Sequence, residues 1–196
     1  MYGYYWRFDP TYLLIIIGML LSLAASAKLK STFAVYRSRR SASGLTGAEA
    51  ARRILNAAGI TDVQIVPVSG SLTDHYDPRS KTVRLSEDIY GQTSLAAVGV
   101  AAHECGHAIQ HHIDYAPLSI RSALVPVANF GSTLSWPLFF AGLIFSIQPL
   151  LTLGIVLFSF AVLFQLVTLP VEFNASSRAL HMLESTGILS RDENSG

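Results

Sequence analysis

Two histidines and a glutamate in one short segment have the spacing of a zinc hydrolase site. The segment reads His103-Glu104-Cys105-Gly106-His107. Residues i and i+4 lie on one face of an α-helix, so both imidazoles can reach the same metal ion. A carboxylate beside the first ligand can face a metal-bound water and accept its proton. Because the flanking residues are small or apolar and contain no helix breaker, we expect the motif on a helix.

Two regions compete for the third protein ligand that a catalytic zinc requires. On a continuous helix His111 lies about 12 Å along the axis from His103, whereas ligands of one zinc converge to within about 4 Å. We therefore expect His111 and His112 at the polar end of the helix, where imidazole suits the dipole. Glu172 is the preferred ligand, because two hydrophobic spans separate it from the motif and return it to the same side of a membrane. The alternative is that Glu172 is only a first-turn carboxylate in a helix that begins at Pro170.

The composition indicates a membrane protein. Hydrophobic residues make up 51% of the chain and charged residues 14%, against about a quarter in soluble domains. No charged residue lies between Asp9 and Lys28, which predicts one span. Residues 122–171 are also uncharged, and these roughly fifty residues suffice for two helices of about twenty residues each, with a turn at Gln148-Pro149. We therefore expect three transmembrane helices.

The basic charge around the first span predicts its orientation. Excess basic charge marks the cytoplasmic flank of a membrane helix. Only Arg7 precedes the span, with Asp9 beside it, so we expect the N-terminus outside and the segment after the span in the cytoplasm. This distribution argues against a cleaved signal peptide, although Ala25-Ser26-Ala27 resembles a cleavage site. Five basic residues follow the span: Lys28, Lys30, Arg37, Arg39 and Arg40.

Net charge and cysteine content argue against other classes of protein. The formal net charge of +1 gives no case for nucleic acid as a partner, and the chain has no glycine-rich phosphate loop. Cys105 is the only cysteine, which excludes an intrachain disulfide and agrees with a reducing compartment. We interpret it as a small packing residue rather than a catalytic thiol.

About eighty residues separate the first span from the second, too few for a large independent core. We therefore expect the membrane helices to support this portion. Thr46-Gly47-Ala48-Glu49 is a capping box that begins a helix. Residues 63–66, closed by Pro67, and residues 81–85 alternate as strands do, and Ser86 is expected to cap the segment that follows.

A family resemblance is carried by the first span with its basic flank and by residues 72–79, 83–86, 103–110 and 169–176. The chain resembles the YugP-like neutral zinc metallopeptidases, a family of small bacterial membrane proteins, over nearly its whole length. More distantly, the block around Glu172 is similar to that of the membrane proteases that include HtpX and the eukaryotic prenyl-protein protease. Those proteases have an Asp where this chain has Ser176, so the group that orients the histidines stays open, with Asn174 or another carboxylate as alternatives.

The resemblance implies hydrolysis of peptide bonds in a protein or peptide substrate. The residues found independently fit that chemistry, with one catalytic Zn²⁺ held by His103, His107 and Glu172. Glu104 would then accept a proton from water and return it to the leaving amine. The family usually has a further hydrophobic helix near its C-terminus, which we expect to be missing from this sequence.

The donor to the oxyanion is open at this stage. His75, Tyr76 and Arg178 are candidates, because each can donate a hydrogen bond. For His75 and Tyr76 the alternative is ordinary polar surface at a turn around Asp77-Pro78. By analogy with zincins, an extended substrate would pair with an edge strand drawn from one of the two predicted strands.

We expect a mainly α membrane protein of the α+β type, with three transmembrane helices and a small zincin-like cytoplasmic domain that carries a short β-hairpin or sheet. It would lie in the bacterial cell membrane, in contact with the lipid bilayer, as a multi-pass protein with a cytoplasmic active site. The alternative functions are a noncatalytic scaffold or regulator with a structural zinc, and a metal-dependent hydrolase of another amide or a lipid-linked substrate. The expected division is a first transmembrane segment (1–30), a zincin-like portion (31–121), two transmembrane helices (122–169) and a Glu-ligand helix with the C-terminal tail (170–196).

Overall fold

The computed structural model describes residues 11–190 and residue 193, and within them the chain is mainly helical with one small sheet. Arg7 and Asp9, on which the predicted orientation partly rests, lie outside the described residues. The elements follow in the order α1 (Thr11–Ser38), α2 (Gly47–Ala57), β1 (Gln64–Val68), β2 (His75–Asp77), β3 (Thr82–Ser86), α3 (Glu87–Tyr90), α4 (Leu95–His112), α5 (Ala116–Ile144) and α6 (Gln148–Ser185).

Helices α1, α5 and α6 are long and apolar enough to cross a membrane. They contain 28, 29 and 38 residues. At about 1.5 Å per residue, each is longer than the roughly 30 Å of a bilayer's hydrocarbon core. Their large apolar side chains are mostly exposed, for example Leu14, Phe130 and Leu163, as lipid contact requires. The three predicted apolar helices are therefore present.

The connection between α5 and α6 lies earlier in the chain than predicted. It comprises residues 145–147, so the prediction of a turn at Gln148-Pro149 is wrong. Pro149 instead lies in the first turn of α6, where its missing N–H costs no helical hydrogen bond. The two helices pack closely beside the turn, because Gly142 has no side chain to collide with the backbone of Leu151.

Helix α6 passes through Pro170 without a break. The prediction that a new helix begins at Pro170 is therefore wrong, since a long apolar helix tolerates an internal proline when neighbouring groups satisfy the freed carbonyl. The alternative that Glu172 is a first-turn carboxylate fails for the same reason. At about 57 Å, α6 is nearly twice as long as a bilayer core is thick. Its C-terminal part extends beyond the apolar stretch and packs against α4.

The sheet has the strand order β1-β3-β2. β1 pairs parallel with β3 and β2 pairs antiparallel with it, so β3 is central and the other two strands are edges. The expected short sheet is present, but its hairpin is formed by β2 and β3, joined by a turn at residues 78–81. The two strands predicted from the sequence are β1 and β3, which pair in parallel, and β2 was not predicted. Pro67 lies inside β1 and does not close it, which an edge strand allows because one side of it carries no ladder hydrogen bonds.

Side-chain caps were predicted at the starts of α2 and α3, and only the cap of α2 is present. The capping box of α2 is confirmed: Thr46 Oγ1 accepts from the Glu49 N–H at 3.2 Å, and Glu49 Oε2 accepts from the Thr46 N–H at 2.8 Å. Ser86 is the N-cap residue of α3, but its hydroxyl does not cap the helix. It donates to Asp74 Oδ2 at 3.0 Å, and the same carboxylate accepts the Ser86 N–H at 2.7 Å, which ties the start of β2 to the end of β3.

Helix α4 is the centre of the packed portion. Its many small residues let α2, the sheet and α6 approach it, and the contacting residues Ile54, Leu85 and Leu183 are at most 2% exposed. The Cys105 thiol is fully buried and donates to the Ala51 carbonyl oxygen at 3.6 Å, which confirms that it is a packing residue. A long apolar helix, α6, also supports this portion, because it packs against α4.

The closest approach of α4 and α6 is at Gly106. A Cβ atom there would overlap the carbonyl oxygen of Ala175. Gly106 is the small residue inside the His-Glu-x-x-His motif, so the backbone of α6 passes directly over the segment that carries both histidines. The separation of these two helices is thus set by the absence of one side chain.

We expect Gly106→Ala to destabilise the protein by about 1–3 kcal/mol, because the new methyl group forces α6 away from α4. Gly99→Ala is the matched control, since Gly99 lies on the same helix with open space around its Cα. Alanine in a helix interior gains up to about 1 kcal/mol over glycine, so this variant should be as stable as the wild type or more stable. Thermal melts in detergent measure both, and equal melting temperatures for the two variants would refute the close approach.

Candidate metal centre

The two motif histidines lie on one face of α4, as their spacing predicts. The helix is continuous from Leu95 to His112. The imidazole rings of His103 and His107 have centroids 4.8 Å apart and meet edge to face at 86°. His107 is buried and His103 is partly exposed. Two neutral imidazoles in this arrangement offer nitrogen lone pairs to a common point.

Glu172 reaches the same point from α6. Its Oε2 lies 3.2 Å from His103 Nε2 and 3.5 Å from His107 Nε2. One ligand atom from each of the three residues lies within 4.8 Å of the others. The Glu172 Oε1 is directed elsewhere, to Arg121 Nη2 at 3.7 Å. The structure therefore brings together the three residues that the sequence singled out as metal ligands.

Gln110 fixes the protonation of His107. The Gln110 Nε2 donates to the Val171 carbonyl oxygen at 2.8 Å and to Asn174 Oδ1 at 3.0 Å. A carbonyl oxygen only accepts, so the amide nitrogen must face α6 and the amide oxygen must face His107. That Oε1 lies 3.0 Å from His107 Nδ1, which must therefore carry the proton. The His107 Nε2 keeps its lone pair for a metal.

Ser176 contacts His103 at the corresponding ring nitrogen, Nδ1. Its Oγ lies 3.1 Å from His103 Nδ1, and Nε2 again faces Glu172. Ser176 is thus itself the group that contacts this ring, at a position where the sequence left the orienting group open. Asn174, the alternative considered from the sequence, acts on the other histidine and only through Gln110. Both imidazoles have a partner at Nδ1, as metal-ligating histidines usually do.

Glu104 lies beside the two histidines and is 8% exposed. Burial raises the pKa of its carboxyl group, because the charged form loses hydration, while the nearby imidazoles and the Tyr76 N–H oppose that shift. A carboxylate with a raised pKa holds a proton more readily than an exposed one. This environment suits a group that takes and returns a proton.

A cleft of about 700 Å³ opens over these residues. Its walls are the edge strand β2, the turn that follows, the metal-facing side of α4 and the first turns of α5. The strand at the cleft is therefore β2, and neither predicted strand supplies that edge, because β3 is central and β1 is the far edge. The residues that line the cleft are Asp74, His75, Tyr76, Asp77, Pro78, Arg79, His103, Glu104, His107, Leu118, Arg121, Ser122, Val125 and Glu172.

Two of the predicted oxyanion donors lie in this cleft. His75 is exposed, and its Nδ1 lies 2.8 Å from the carbonyl oxygen of Thr73, which leaves Nε2 available. The Tyr76 hydroxyl is already engaged by His111 Nδ1 at 2.7 Å, and burial raises the pKa of Tyr76 to about 12. His111 and His112 lie at the end of α4 and outside the ligand cluster.

Arg178 does not line the cleft. Its Nε donates to Asn174 Oδ1 at 2.7 Å. Its guanidinium carbon lies over the ring of Tyr115, 5.9 Å from the ring centroid. The residue is therefore a support of the amide network behind His107 rather than a group that faces the metal site. This role cannot be predicted from the sequence alone, because Arg178 follows Asn174 by one helical turn and the side of α6 that both occupy depends on its packing.

Sequence reasoning missed Gln110 and Arg121. Gln110 follows His107 by three residues, so the two share a helical face, and that spacing could have marked it as a partner of the ligand. Arg121 is the last charged residue before the long uncharged stretch. The sequence shows that Arg121 lies near the start of a hydrophobic helix. Whether its side chain points towards Glu172 depends on how α5 packs.

Within the residues that it describes, the structure thus has three apolar helices long enough for a membrane and a His-His-Glu cluster suited to a metal ion. Residues 11–196 match the family model described as "Putative neutral zinc metallopeptidase", and the chain belongs to that family. It is 49% identical over 183 residues to the "Putative membrane protease YugP" of Bacillus subtilis (strain 168), which covers 93% of this chain and 81% of the relative. No solved structure matches the chain.

The contact between Ser176 and His103 predicts a difference between two adjacent serines. We expect Ser176→Ala to weaken zinc binding about 10–100-fold, because the imidazole loses the group that orients it. Ser177→Ala is the control, since Ser177 is exposed on the same helix turn and lies outside the cluster. Competition with a chromophoric zinc chelator measures both affinities. Equal affinities would show that Ser176 does not orient the histidine.

Proposed function

We propose that the protein is a membrane-embedded, zinc-dependent endopeptidase. One zinc ion would be held by His103, His107 and Glu172, with Glu104 as the general base. The observation that carries the proposal is the convergence of two imidazole Nε2 atoms and one carboxylate oxygen while both Nδ1 atoms are held from behind. A chance cluster of histidines would not need a partner at each Nδ1 atom.

Two nitrogens and one oxygen suit zinc, and a catalytic zinc site has three protein ligands and an open position. Zinc bound there would polarise the scissile carbonyl and lower the pKa of a coordinated water. Glu104 would take the proton from the attacking water and transfer it to the leaving amine. Burial of Glu104 supports this role, because a raised pKa brings the carboxyl group closer to the operating pH.

A peptide is the proposed substrate because the family is described as metallopeptidases and the Bacillus relative is named a membrane protease. The shape of the cleft supports this choice. β2 is an edge strand along the cleft, and an edge strand suits pairing with an extended polypeptide. A closed four-ligand site would favour the alternative, a noncatalytic scaffold with a structural zinc. The described residues instead offer three ligands beside an open cleft.

We propose that α1, α5 and α6 cross the bacterial cell membrane and that the cleft faces the cytoplasm. Lys28, Lys30 and Arg37 lie in the last three turns of α1, at the end from which the chain continues into the packed portion. Helices α5 and α6 would cross the membrane outwards and back, which returns Glu172 to the side of the motif. The proposal rests on the rule that basic residues mark the cytoplasmic flank.

We expect Glu104→Gln to keep zinc and the fold but to lose about 10²–10⁴-fold in turnover, because the amide cannot accept the proton. Glu87→Gln is the matched control, since Glu87 is exposed on α3 and away from the cleft. Zinc content and cleavage of casein or a peptide library are measured on the same preparations. Undiminished cleavage by Glu104→Gln would overturn the base assignment, and a zinc-loaded wild type that cleaves no peptide would favour the scaffold.

The orientation is tested with single cysteines in a Cys105→Ala background. Ala57 at the end of α2 and Gln148 in the α5–α6 turn region are both exposed. We expect a membrane-impermeant maleimide to label Gln148→Cys in intact cells and Ala57→Cys only after lysis. Labelling of Ala57→Cys in intact cells would place the cleft outside and contradict the proposed topology.

A further inference from the structure

The lengths of α5 and α6 indicate how far the metal cluster lies from the core of a membrane. The two helices are joined at residues 145–147, and the uncharged residues 122–171 end at Arg121 on α5 and at Glu172 on α6. Arg121 Nη2 lies 3.7 Å from Glu172 Oε1, so both ends of the uncharged stretch are at one height. At about 1.5 Å per residue, each arm between the turn and its charged residue is about 35 Å long.

In the proposed membrane crossing, these arms are only slightly longer than a bilayer's hydrocarbon core, which is about 30 Å thick. The turn between them is itself apolar, because Ile144, Phe145 and Ile147 are exposed there. Such a turn is most stable at the edge of the hydrocarbon core rather than out in water. Arg121 and Glu172 then lie no more than about 5 Å beyond the opposite edge, which is within the polar headgroup layer of about 5–7 Å.

The surface beside the cleft fits the same depth. Phe173 follows the glutamate ligand directly and is 72% exposed, and Leu169, one turn closer to the bilayer core on α6, is exposed as well. Ile120 and Leu124 are exposed at the same level of α5. Large apolar side chains exposed around a site are typical of a surface that meets lipid or another protein. At the depth given by the helix lengths, lipid is the group that covers them.

The cleft itself reaches down to the edge of the hydrocarbon core. Its wall on α5 is formed by Leu118, Ser122 and Val125, which share one helical face. Val125 lies about 30 Å along α5 from the turn, a distance equal to the thickness of the core. A polypeptide that leaves the bilayer beside α5 therefore enters the cleft directly. A chain in water has to reach into the headgroup layer.

We propose that the substrate is a polypeptide anchored in the same membrane and that it is cut in the headgroup layer, just beyond the end of its hydrophobic segment. The inference deepens the proposed peptidase function and membrane crossing, and it rests on both. An extended chain advances about 3.3 Å per residue, so two residues cross a layer of about 5–7 Å. A chain that leaves at a slant needs a few more, so cleavage falls within about the first five residues after the hydrophobic segment.

The test uses the zinc-loaded protein in liposomes whose hydrocarbon core is about 30 Å thick. The probe is a single-span reporter with a hydrophobic segment of about 20 residues, followed by a tail of about 20 randomised residues. Mass spectrometry of the released fragments gives the position of each cut. We expect cuts in about the first five tail residues to outnumber those in about the last five roughly tenfold, because the effective concentration of a tethered site falls with tether length. A flat distribution, or a maximum in the far half of the tail, overturns the proposal.

Two further reporters separate membrane depth from sequence, with Glu104→Gln as the background for all three. The first inserts a rigid helical spacer of about 20 residues, which lifts the tail about 30 Å from the bilayer and should reduce cleavage about tenfold. The second lacks the hydrophobic segment and should be cut about tenfold more slowly, without preference for either end of the tail. Undiminished cleavage of either reporter contradicts the proposal while the peptidase function stands. If no reporter is cut above the background, the peptidase function itself is refuted.

The depth of the site is also measured without cleavage. Nitroxide labels are attached singly through Val156→Cys, Phe173→Cys and Ser185→Cys in a Cys105→Ala background, and all three positions on α6 are exposed. At about 1.5 Å per residue, they lie about 14, 39 and 57 Å from the turn. Collision with oxygen and with a water-soluble nickel chelate should place the label at position 173 between the other two. If that label is as accessible to the chelate as the label at position 185, the cleft lies in water and the proposal is wrong.

Discussion

The close contact between α4 and α6 at Gly106 is the constraint on which the rest of the site depends. The two histidines lie on α4 and the glutamate on α6, 65 or more residues later in the chain. Any side chain at position 106 would push the Ala175 backbone away and carry Glu172 with it. The distances of 3.2 Å and 3.5 Å between Glu172 and the two rings exist only at that helix separation. A backbone contact thus sets the geometry of a chemical site.

A buried amide connects that helix contact to the chemistry. Gln110 is fully buried, and it donates to the Val171 carbonyl on α6 while it accepts from His107 on its own helix. Asn174 then links the amide to Arg178, which lies outside the cleft. Every buried polar group in such a network needs its partner, because an unpaired one is costly in a low-dielectric interior. The network therefore couples the helix packing to the ring tautomer that leaves Nε2 free.

The sequence predicted the elements whose signals are local. The His-Glu-x-x-His helix, the capping box at Thr46 and the three apolar helices follow from spacing, cap chemistry and long uncharged runs. The errors fell where tertiary context decides. Pro170 was assigned to a helix start because its local preference favours one, but packing on α4 continues α6 through it. Arg121 and Gln110 were missed because their roles depend on which side of a helix meets another helix. The prediction that Glu172 would lie beside the motif came from the two apolar segments between them, and the structure brings the three residues together.

The zinc content of two variants tests the central claim most directly, because Glu172 and His111 cannot both ligate one ion while α4 is continuous. Purified Glu172→Ala, His111→Ala and wild-type protein are compared for zinc bound per chain after dialysis. The account predicts that Glu172→Ala loses stoichiometric zinc, because two imidazoles alone hold it weakly, and that His111→Ala keeps it. Full zinc in Glu172→Ala together with loss in His111→Ala would mean that the metal site does not lie between α4 and α6.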